Sequence, residues 1–498
     1  MKHEGGISSF EPGRTCWRTE RADRCAFLVD YQAYFSALRE ALQLARRQIT
    51  ILGWGFDPRA RLAPDGHRGG RHPDAIAQVL MALCADRPEL EVRILAWKSA
   101  LPVSASQEFF PHRARAWFKG SRVHFELDDA VPFGACHHQK VVVIDDVLAF
   151  SGSGDIACDR WDSEAHLADD ARRIMPGGAR HGPRHEVMSL VSGPAAKALG
   201  DLARERWRRM LGEEIIPPPP LAPVWPASVT PDLSGAATAI ARTEPAWAGR
   251  PCTEENEALT LALIAEAKTT LYLENQYFTA PVIAEALAAR LGEPEGPEII
   301  LVSTGRSPSW FDQLTMDRAR AVQLWRLRAA DIFGRFRAWQ PCAADGQRLI
   351  VHSKVMVIDD RIARVGSANL NNRSGGFDTE CDLAFEAADE TQRAAIAGFR
   401  DHLLAHFVSR KPQDLALARE RAGGSLIAAV EALNHGGRLT PIEAPKMTAF
   451  GELIARHHLG DPASVTDAWR PVARRERLYD RARLEIQSVK TISATSGR

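Results

Sequence analysis

Helical periodicity and strand alternation take turns along this chain. Tyr34 to Ala45 spaces its apolar residues for one helix face, and Gln48-Ile49-Thr50-Ile51-Leu52 then reads as a strand. The order returns later, with Leu259 to Ala267 as helix and Thr270-Leu271-Tyr272-Leu273 as strand. Each pair is followed by a second helix (Ala75–Ala85; Val282–Leu291) and a second strand (Glu91–Ala96; Glu298–Ser303). Such alternation implies an α/β fold with helices layered on a buried sheet. Pro217-Pro218-Pro219-Pro220 cannot sit inside a helix or a central strand, and it stiffens as polyproline II. The surrounding Pro- and Ala-rich stretch, 216–250, is therefore expected to link a first domain, 1–215, to a second, 251–412. From 413 to 498 the pattern predicts a helical extension, with pieces such as Ser425–Leu433 and a frayed tail after about 488.

The two halves share more than a pattern. His138-Gln139-Lys140-Val141-Val142-Val143-Ile144-Asp145 matches His352-Ser353-Lys354-Val355-Met356-Val357-Ile358-Asp359 at an offset of 214 residues, both reading H-x-K-x-x-x-x-D. The offset is kept at Gly152/Gly366, Ser153/Ser367 and Asp155/Asn369. A register held without insertion across that span marks an internal duplication.

Composition narrows the classes of function. At 498 residues the chain exceeds one ordinary core and suits two or three domains. Lys+Arg and Asp+Glu balance at 63 each, which argues against a protein that coats nucleic acid, and no nucleic-acid partner is expected. No run approaches the roughly 18 apolar residues of a membrane span, and Met1 to Gly6 has no basic stretch leading into an apolar one, so a cytoplasmic location is expected. Eight scattered cysteines form no C-x-x-C pair and read as reduced, mostly buried thiols.

The repeated residues carry the candidate chemistry. On a strand, His138 and Lys140 share one face, with Gln139, Val141 and Val143 on the other, and His352 and Lys354 repeat the arrangement. If the halves meet face to face, two imidazoles and two ammoniums converge. Two ammoniums attract a phosphate, while two imidazoles supply a nucleophile and a general acid. That set suits phosphoryl transfer with no metal and no cofactor. Ser153, Ser367 and Asn369 are expected to help bind the phosphate. Asp145 and Asp359 fall out of register with that face and are assigned structural hydrogen bonds. A nucleophilic His needs a carboxylate to orient it. By position in the repeat, Glu186 is expected to serve His138, and Glu380 to serve His352.

Paired H-x-K-x-x-x-x-D motifs resemble the signature of the phospholipase D superfamily. Glu274-Asn275-Gln276-Tyr277-Phe278 resembles the segment ahead of that family's second motif, and Gly366 to Ser374 is similar to the motif's tail. His137-His138-Gln139-Lys140 and Asp159-Arg160-Trp161-Asp162 look more like phospholipid-cleaving members than short dimeric nucleases. The resemblance spans roughly residues 25 to 410. It implies tandem α/β/α/β/α domains related by a pseudo-twofold, a phosphatidyl-enzyme intermediate on His138, and cleavage of a phospholipid headgroup. Transient membrane contact and a monomeric state, with both half-sites in one chain, follow as expectations. Other readings in the superfamily are a nuclease, for which stacking aromatics are scarce, and a cardiolipin synthase-like transferase, which would ordinarily carry membrane helices. A non-catalytic relic is disfavoured because both motifs are intact. Asp155 stands where the second copy has Asn369. Gly152-Ser153-Gly154-Asp155 is close to the Gly-Gly-x-Asp of such phospholipases, so Asp155 reads as tolerated if paired, not as a phosphate ligand.

Several residues admit blander roles. His137 suits a supporting position, and His185 flanks Glu186. Trp54 and Phe56 could line the pocket or fill the core. Trp310-Phe311 is expected to pack against a helix from Met316 to Arg328, with a wedge into a lipid surface as the alternative. Arg470 to Arg483 is expected to form a solvated face with Glu476, Asp480 and Glu485, with contact to anionic lipid as the alternative.

Overall fold

Strands buried along their whole length need neighbours on both edges and a layer on both faces. Here those strands belong to a single sheet. The computed structural model describes residues 9–64, 74–99, 113–343, 345–443 and 449–468. The first half supplies β1 (Arg18–Val29), β2 (Gln48–Gly53), β3 (Glu91–Trp97), β4 (Val123–Asp128), β5 (Val141–Ile144), β6 (Leu148–Gly152), β7 (Arg184–His185) and β8 (Val187–Ser192). The second supplies β9 (Leu233–Glu244), β10 (Thr253–Glu254), β11 (Thr270–Asn275), β12 (Glu298–Val302), β13 (Phe336–Pro341), β14 (Ile350–Val351), β15 (Lys354–Ile358), β16 (Ile362–Gly366) and β17 (Glu380–Glu386), and of all these only β7 and β14 stand outside the large sheet, paired with each other. β1 and β9 pair antiparallel at the centre, from Arg18 opposite Ile240 to Cys25 opposite Leu233. Outward from them, β8-β6-β5-β2-β3-β4 on one side mirrors β17-β16-β15-β11-β12-β13 on the other. The duplication is thus a pseudo-twofold across one continuous sheet.

Side-chain alternation divides the core into three. Val141 and Val143 of β5, like Val355 and Val357 of β15, face a core shared by both halves, which helices Pro194–Leu211 and Glu390–Phe407 cover. Val142 and Ile144 face a core private to the first half, under helices Asp30–Leu44 and Ile76–Asp86. Met356 and Ile358 face a core of the second half, under helices Glu255–Glu266, Pro281–Leu291 and Met316–Ala330, to which Phe10 and Cys16 also contribute.

The repeated Asp residues close the motif strands. Asp145 and Asp146 both have positive φ, 54° and 57°, as do Asp359 and Asp360, 51° and 54°. Two consecutive left-handed residues make the tight turn that joins β5 to β6 and β15 to β16. The Asp145 carboxylate accepts the backbone N–H groups of Arg46, Arg47 and Gln48 at 2.5, 2.7 and 2.6 Å. Asp359 accepts those of Lys268, Thr269 and Thr270 at 2.6, 2.7 and 2.9 Å. Gly152 and Gly366 end the return strands where a Cβ would strike Val187 O at 2.6 Å and the Asp382 carboxylate, respectively. Only glycine lets the next strand approach so closely.

Some expectations are corrected. The stretch 216–250 is not linker throughout: β9 lies within it and pairs with β1 and β17, so the second repeat begins near Leu233. The C-terminal extension is not purely helical. Leu439–Pro441 adds an edge strand, β18, to β13, while helices Pro412–Arg421, Leu426–Leu433 and Ala449–His457 fill the rest. Asp461 reaches back to accept the N–H groups of Asn372 and Arg373 at 3.1 and 2.9 Å, bracing the tail of the second motif. Trp310 and Phe311 do not pack down on the helix that follows. They start a short helix, Trp310–Leu314, and are 74% and 53% exposed. Arg470 to Arg483 and the tail lie outside the described residues. All eight cysteines are free thiols, five of them buried. Among the described residues, no helix is long and apolar enough to cross a membrane.

Candidate active site

β5 begins at Val141 and β15 at Lys354, so the repeated His residues lie in the chain leading into each strand. Those lead-in segments cross to the opposite repeat. His138 N–H donates to Thr379 O at 3.0 Å, and His352 N–H donates to His185 O at 2.8 Å. β14 pairs parallel with β7, setting Val351 opposite His185. Each motif His is therefore clamped beside the carboxylate of the other half.

The carboxylate assignment is accordingly the reverse of the one expected from repeat position. His138 Nδ1 lies 2.8 Å from Glu380 Oε2, and His352 Nδ1 lies 2.9 Å from Glu186 Oε2. Occupying Nδ1 in this way leaves the Nε2 lone pair of each ring for chemistry. Glu380 is held in turn by the hydroxyls of Ser367 and Ser374, both at 2.6 Å. Burial pushes Glu380 up to about 8 despite Lys140 nearby. Burial, with Lys140 and Lys354 assisting, holds His138 well below the usual imidazole range. His352 is pushed down likewise, by burial first and then by Lys354, Arg160 and Arg184. Each imidazole thus senses the lysines of both repeats, which places the four motif side chains around one electrostatic focus.

The lysines are buried and aimed by the backbone. Lys140 Nζ donates to His138 O at 2.9 Å, and Lys354 Nζ to His352 O at 2.5 Å. Burial pushes Lys354 down to about 7, against the pull of Glu186. Asp155 is paired, as its toleration required. Its carboxylate accepts the N–H groups of Trp54 and Gly55, both at 2.9 Å, and lies 3.5 Å from Lys140 Nζ.

Two expected phosphate ligands are spoken for elsewhere. Ser153 Oγ donates to Val187 O and accepts Val187 N–H, both at 3.1 Å, and Ser367 Oγ is committed to Glu380 and to Cys381 N–H. Both side chains are fully buried, so they brace the strands that carry the glutamates instead of facing a phosphate. The amide oxygen of Asn369 is buried without a hydrogen-bond partner. Arg160 and Arg184 were not singled out by sequence reasoning. Their guanidiniums lie 4.0 and 3.7 Å from Glu186 Oε1, adding fixed positive charge beside His352. The signal for Arg160 lay in Asp159-Arg160-Trp161-Asp162, where only the family resemblance had been noticed. Phe56 belongs to the core, whereas half-buried Trp54 stacks on Trp97 with ring centroids 5.7 Å apart. His137 supports from behind, its Nε2 lying 2.9 Å from Asp128.

The duplicated α/β fold has counterparts among known proteins. The family model described as cardiolipin synthase, PLD-like domain, matches residues 260–401. Phospholipase D1 of Saccharomyces cerevisiae is 23% identical over 488 residues, covering 77% of this chain and 28% of that protein. Phospholipase D alpha 2 of Oryza sativa subsp. japonica is 24% identical over 505 residues, covering 73% of this chain and 61% of that protein. This chain therefore spans less than two thirds of the length of either relative. In fold it is similar to the phosphatidylserine synthase of Haemophilus influenzae Rd KW20, with a TM-score of 0.54 and 12% identity across 82% of this chain and 96% of that one. These matches support placing the chain in the phospholipase D superfamily.

The crossed pairing predicts selective responses in the imidazole ¹⁵N spectrum. Glu380→Gln should shift the His138 ring resonances and leave those of His352 in place, and Glu186→Gln should do the reverse. The opposite pattern would restore the pairing within each repeat.

Proposed function

We propose that this protein is a phospholipase D-type phosphodiesterase that cleaves the headgroup phosphodiester of a glycerophospholipid. The observation that carries the reading is the crossed pair of buried His–Glu couples, each imidazole within the field of both motif lysines. His138 Nε2 attacks phosphorus as His352 gives a proton to the departing headgroup oxygen. The P–O bond breaks and a phosphatidyl–His138 bond forms. His352 then takes a proton from water, the hydroxide attacks phosphorus, and phosphatidic acid leaves with His138 restored. An alcohol in place of water gives headgroup exchange. His138 is taken as the nucleophile from the family resemblance, and Glu380, fixed by two serines, holds its tautomer. His352 is held neutral in the free site by burial, Lys354, Arg160 and Arg184, and takes up the proton it donates when the anionic diester binds beside it. Lys140 and Lys354 bind the phosphoryl oxygens and stabilise the charge of the pentacoordinate state. Both half-sites come from one chain, so a monomer suffices.

The exposed Trp310 and Phe311 support a lipid partner. Asp312, next to them, accepts the Tyr277 hydroxyl at 3.1 Å. Gln276 donates to that hydroxyl at 3.0 Å and accepts from Lys354 Nζ at 3.4 Å. A hydrogen-bonded chain thus runs from Lys354 to Asp312, next in sequence to a pair of aromatics suited to the headgroup layer. A nucleic-acid substrate is disfavoured by the zero formal charge.

The direct assay offers phosphatidylcholine and phosphatidylethanolamine vesicles, bis-(p-nitrophenyl) phosphate and single-stranded DNA. Lipid turnover should appear, and His138→Asn should lower it by at least about 10³-fold with the fold intact. Cleavage of DNA with no lipid turnover would replace this reading with a nuclease. Trp310→Ser with Phe311→Ser should weaken turnover on vesicles while sparing bis-(p-nitrophenyl) phosphate. Equal loss on both substrates would remove the wedge role. The pH dependence follows from Lys354. It is cationic below about 7 and loses its charge as pH rises through that value, so kcat/KM for an anionic diester should fall there. Bound phosphate raises the lysine, so kcat should fall at higher pH. A kcat/KM still climbing from pH 6 to about 8.5 would contradict the assignment.

A further inference from the structure

We propose that Asp30, His166, His185 and His406 form a structural site for one divalent transition-metal ion, zinc by preference. These residues come from four distant points of the chain, so no spacing in the sequence marks them as a group. Asp30 opens the first helix, His166 lies in the loop after β6, His185 is in β7, and His406 is in the last turn of helix Glu390–Phe407. One ligand atom from each lies within 4.8 Å of all the others. His185 Nδ1 is 3.1 Å from Asp30 Oδ1, and His166 Nε2 is 3.3 Å from Asp30 Oδ2. Donor atoms around a tetrahedral zinc stand about 3.3 Å apart, given bonds near 2.05 Å.

Two independent features distinguish this group from an ordinary polar cluster. First, its inward-facing atoms lack hydrogen bonds: Asp30 Oδ2, His166 Nε2, His185 Nδ1 and both ring nitrogens of His406 are buried with no hydrogen-bond partner. Second, the outward-facing nitrogens of two rings are held by carboxylates. His166 Nδ1 is 3.0 Å from Asp162 Oδ2, and His185 Nε2 is 2.9 Å from Glu274 Oε2. Metal-bound imidazoles are oriented in this way. Asp162 is itself anchored by Arg173 at 3.3 Å and by the Arg184 N–H at 2.8 Å.

Four protein ligands close the coordination sphere, so the ion is a staple and not a reagent. It ties β7 of the first repeat to the long helix of the second. It also braces the site, because Asp30 Oδ1 accepts the Glu186 N–H at 3.0 Å and Glu274 accepts the Ser353 hydroxyl at 2.6 Å, next to His352.

Elemental analysis of the purified full chain tests this without any activity measurement. About one zinc per chain is expected, with His406→Gln and His166→Gln each retaining less than a tenth of it. His402→Gln, at a neighbouring exposed histidine paired with Glu164, should keep the metal. Circular dichroism monitors folding of the variants. Should they fail to fold, wild-type protein exchanged with Co²⁺ decides, since tetrahedral cobalt gives intense visible bands. Wild-type protein that holds no metal and takes up neither Zn²⁺ nor Co²⁺ on dialysis would overturn the proposal. So would folded His406→Gln and His166→Gln variants with undiminished zinc. Because metal content is the readout, failure here leaves the lipid assay unaffected, and the reverse holds too.

Discussion

A carboxylate taken out of water must find donors or lose its charge, and Glu186 and Glu380 meet that constraint across the pseudo-twofold. Each is contacted by the motif imidazole of the other repeat, so neither half can complete its site alone. The same demand extends outward. Ser367 and Ser374 hold Glu380, while Arg160 and Arg184 stand beside Glu186. The sheet makes this exchange geometrically cheap. β1 and β9 join the repeats edge to edge, and the lead-in to each motif strand then reaches the neighbouring half.

Burial has a second consequence in the electrostatics. His138, His352 and Lys354 are all pushed toward their neutral forms by desolvation, and the motif lysines push the two imidazoles further. A bound phosphodiester would relieve that strain, because its negative charge restores the cationic forms. Affinity for the anion and readiness for proton transfer thus have one physical source. The proposed chemistry draws on it without an intermediary, and the metal proposed at Asp30 and its three histidines would serve only to hold the frame.

Much of the frame was legible in the chain itself. The strand Glu91–Trp97 and the helices Ile76–Asp86 and Pro281–Leu291 fall within a residue or so of their periodic signals. The Asp residues of the repeat were read as structural, and their carboxylates accept backbone N–H groups. β9 was missed because a proline run just before it suggested a linker extending to residue 250. Its small residues (Gly235, Ala236, Ala237, Ala239) carry little strand signal, and pairing on both edges is what makes it a strand.

The amino-acid order by itself determined the duplication, the α/β class and the His–Lys pairs, since periodicity and motif spacing are local properties. Which glutamate meets which histidine was decided only by tertiary structure, because the repeats are alike and only the crossing of chain segments separates the two choices. The burial of Ser153 and Ser367, and the meeting of Asp30, His166, His185 and His406, belong to the same category. Contacts between residues far apart in the chain have no spacing to be read until the sheet has folded and brought them together.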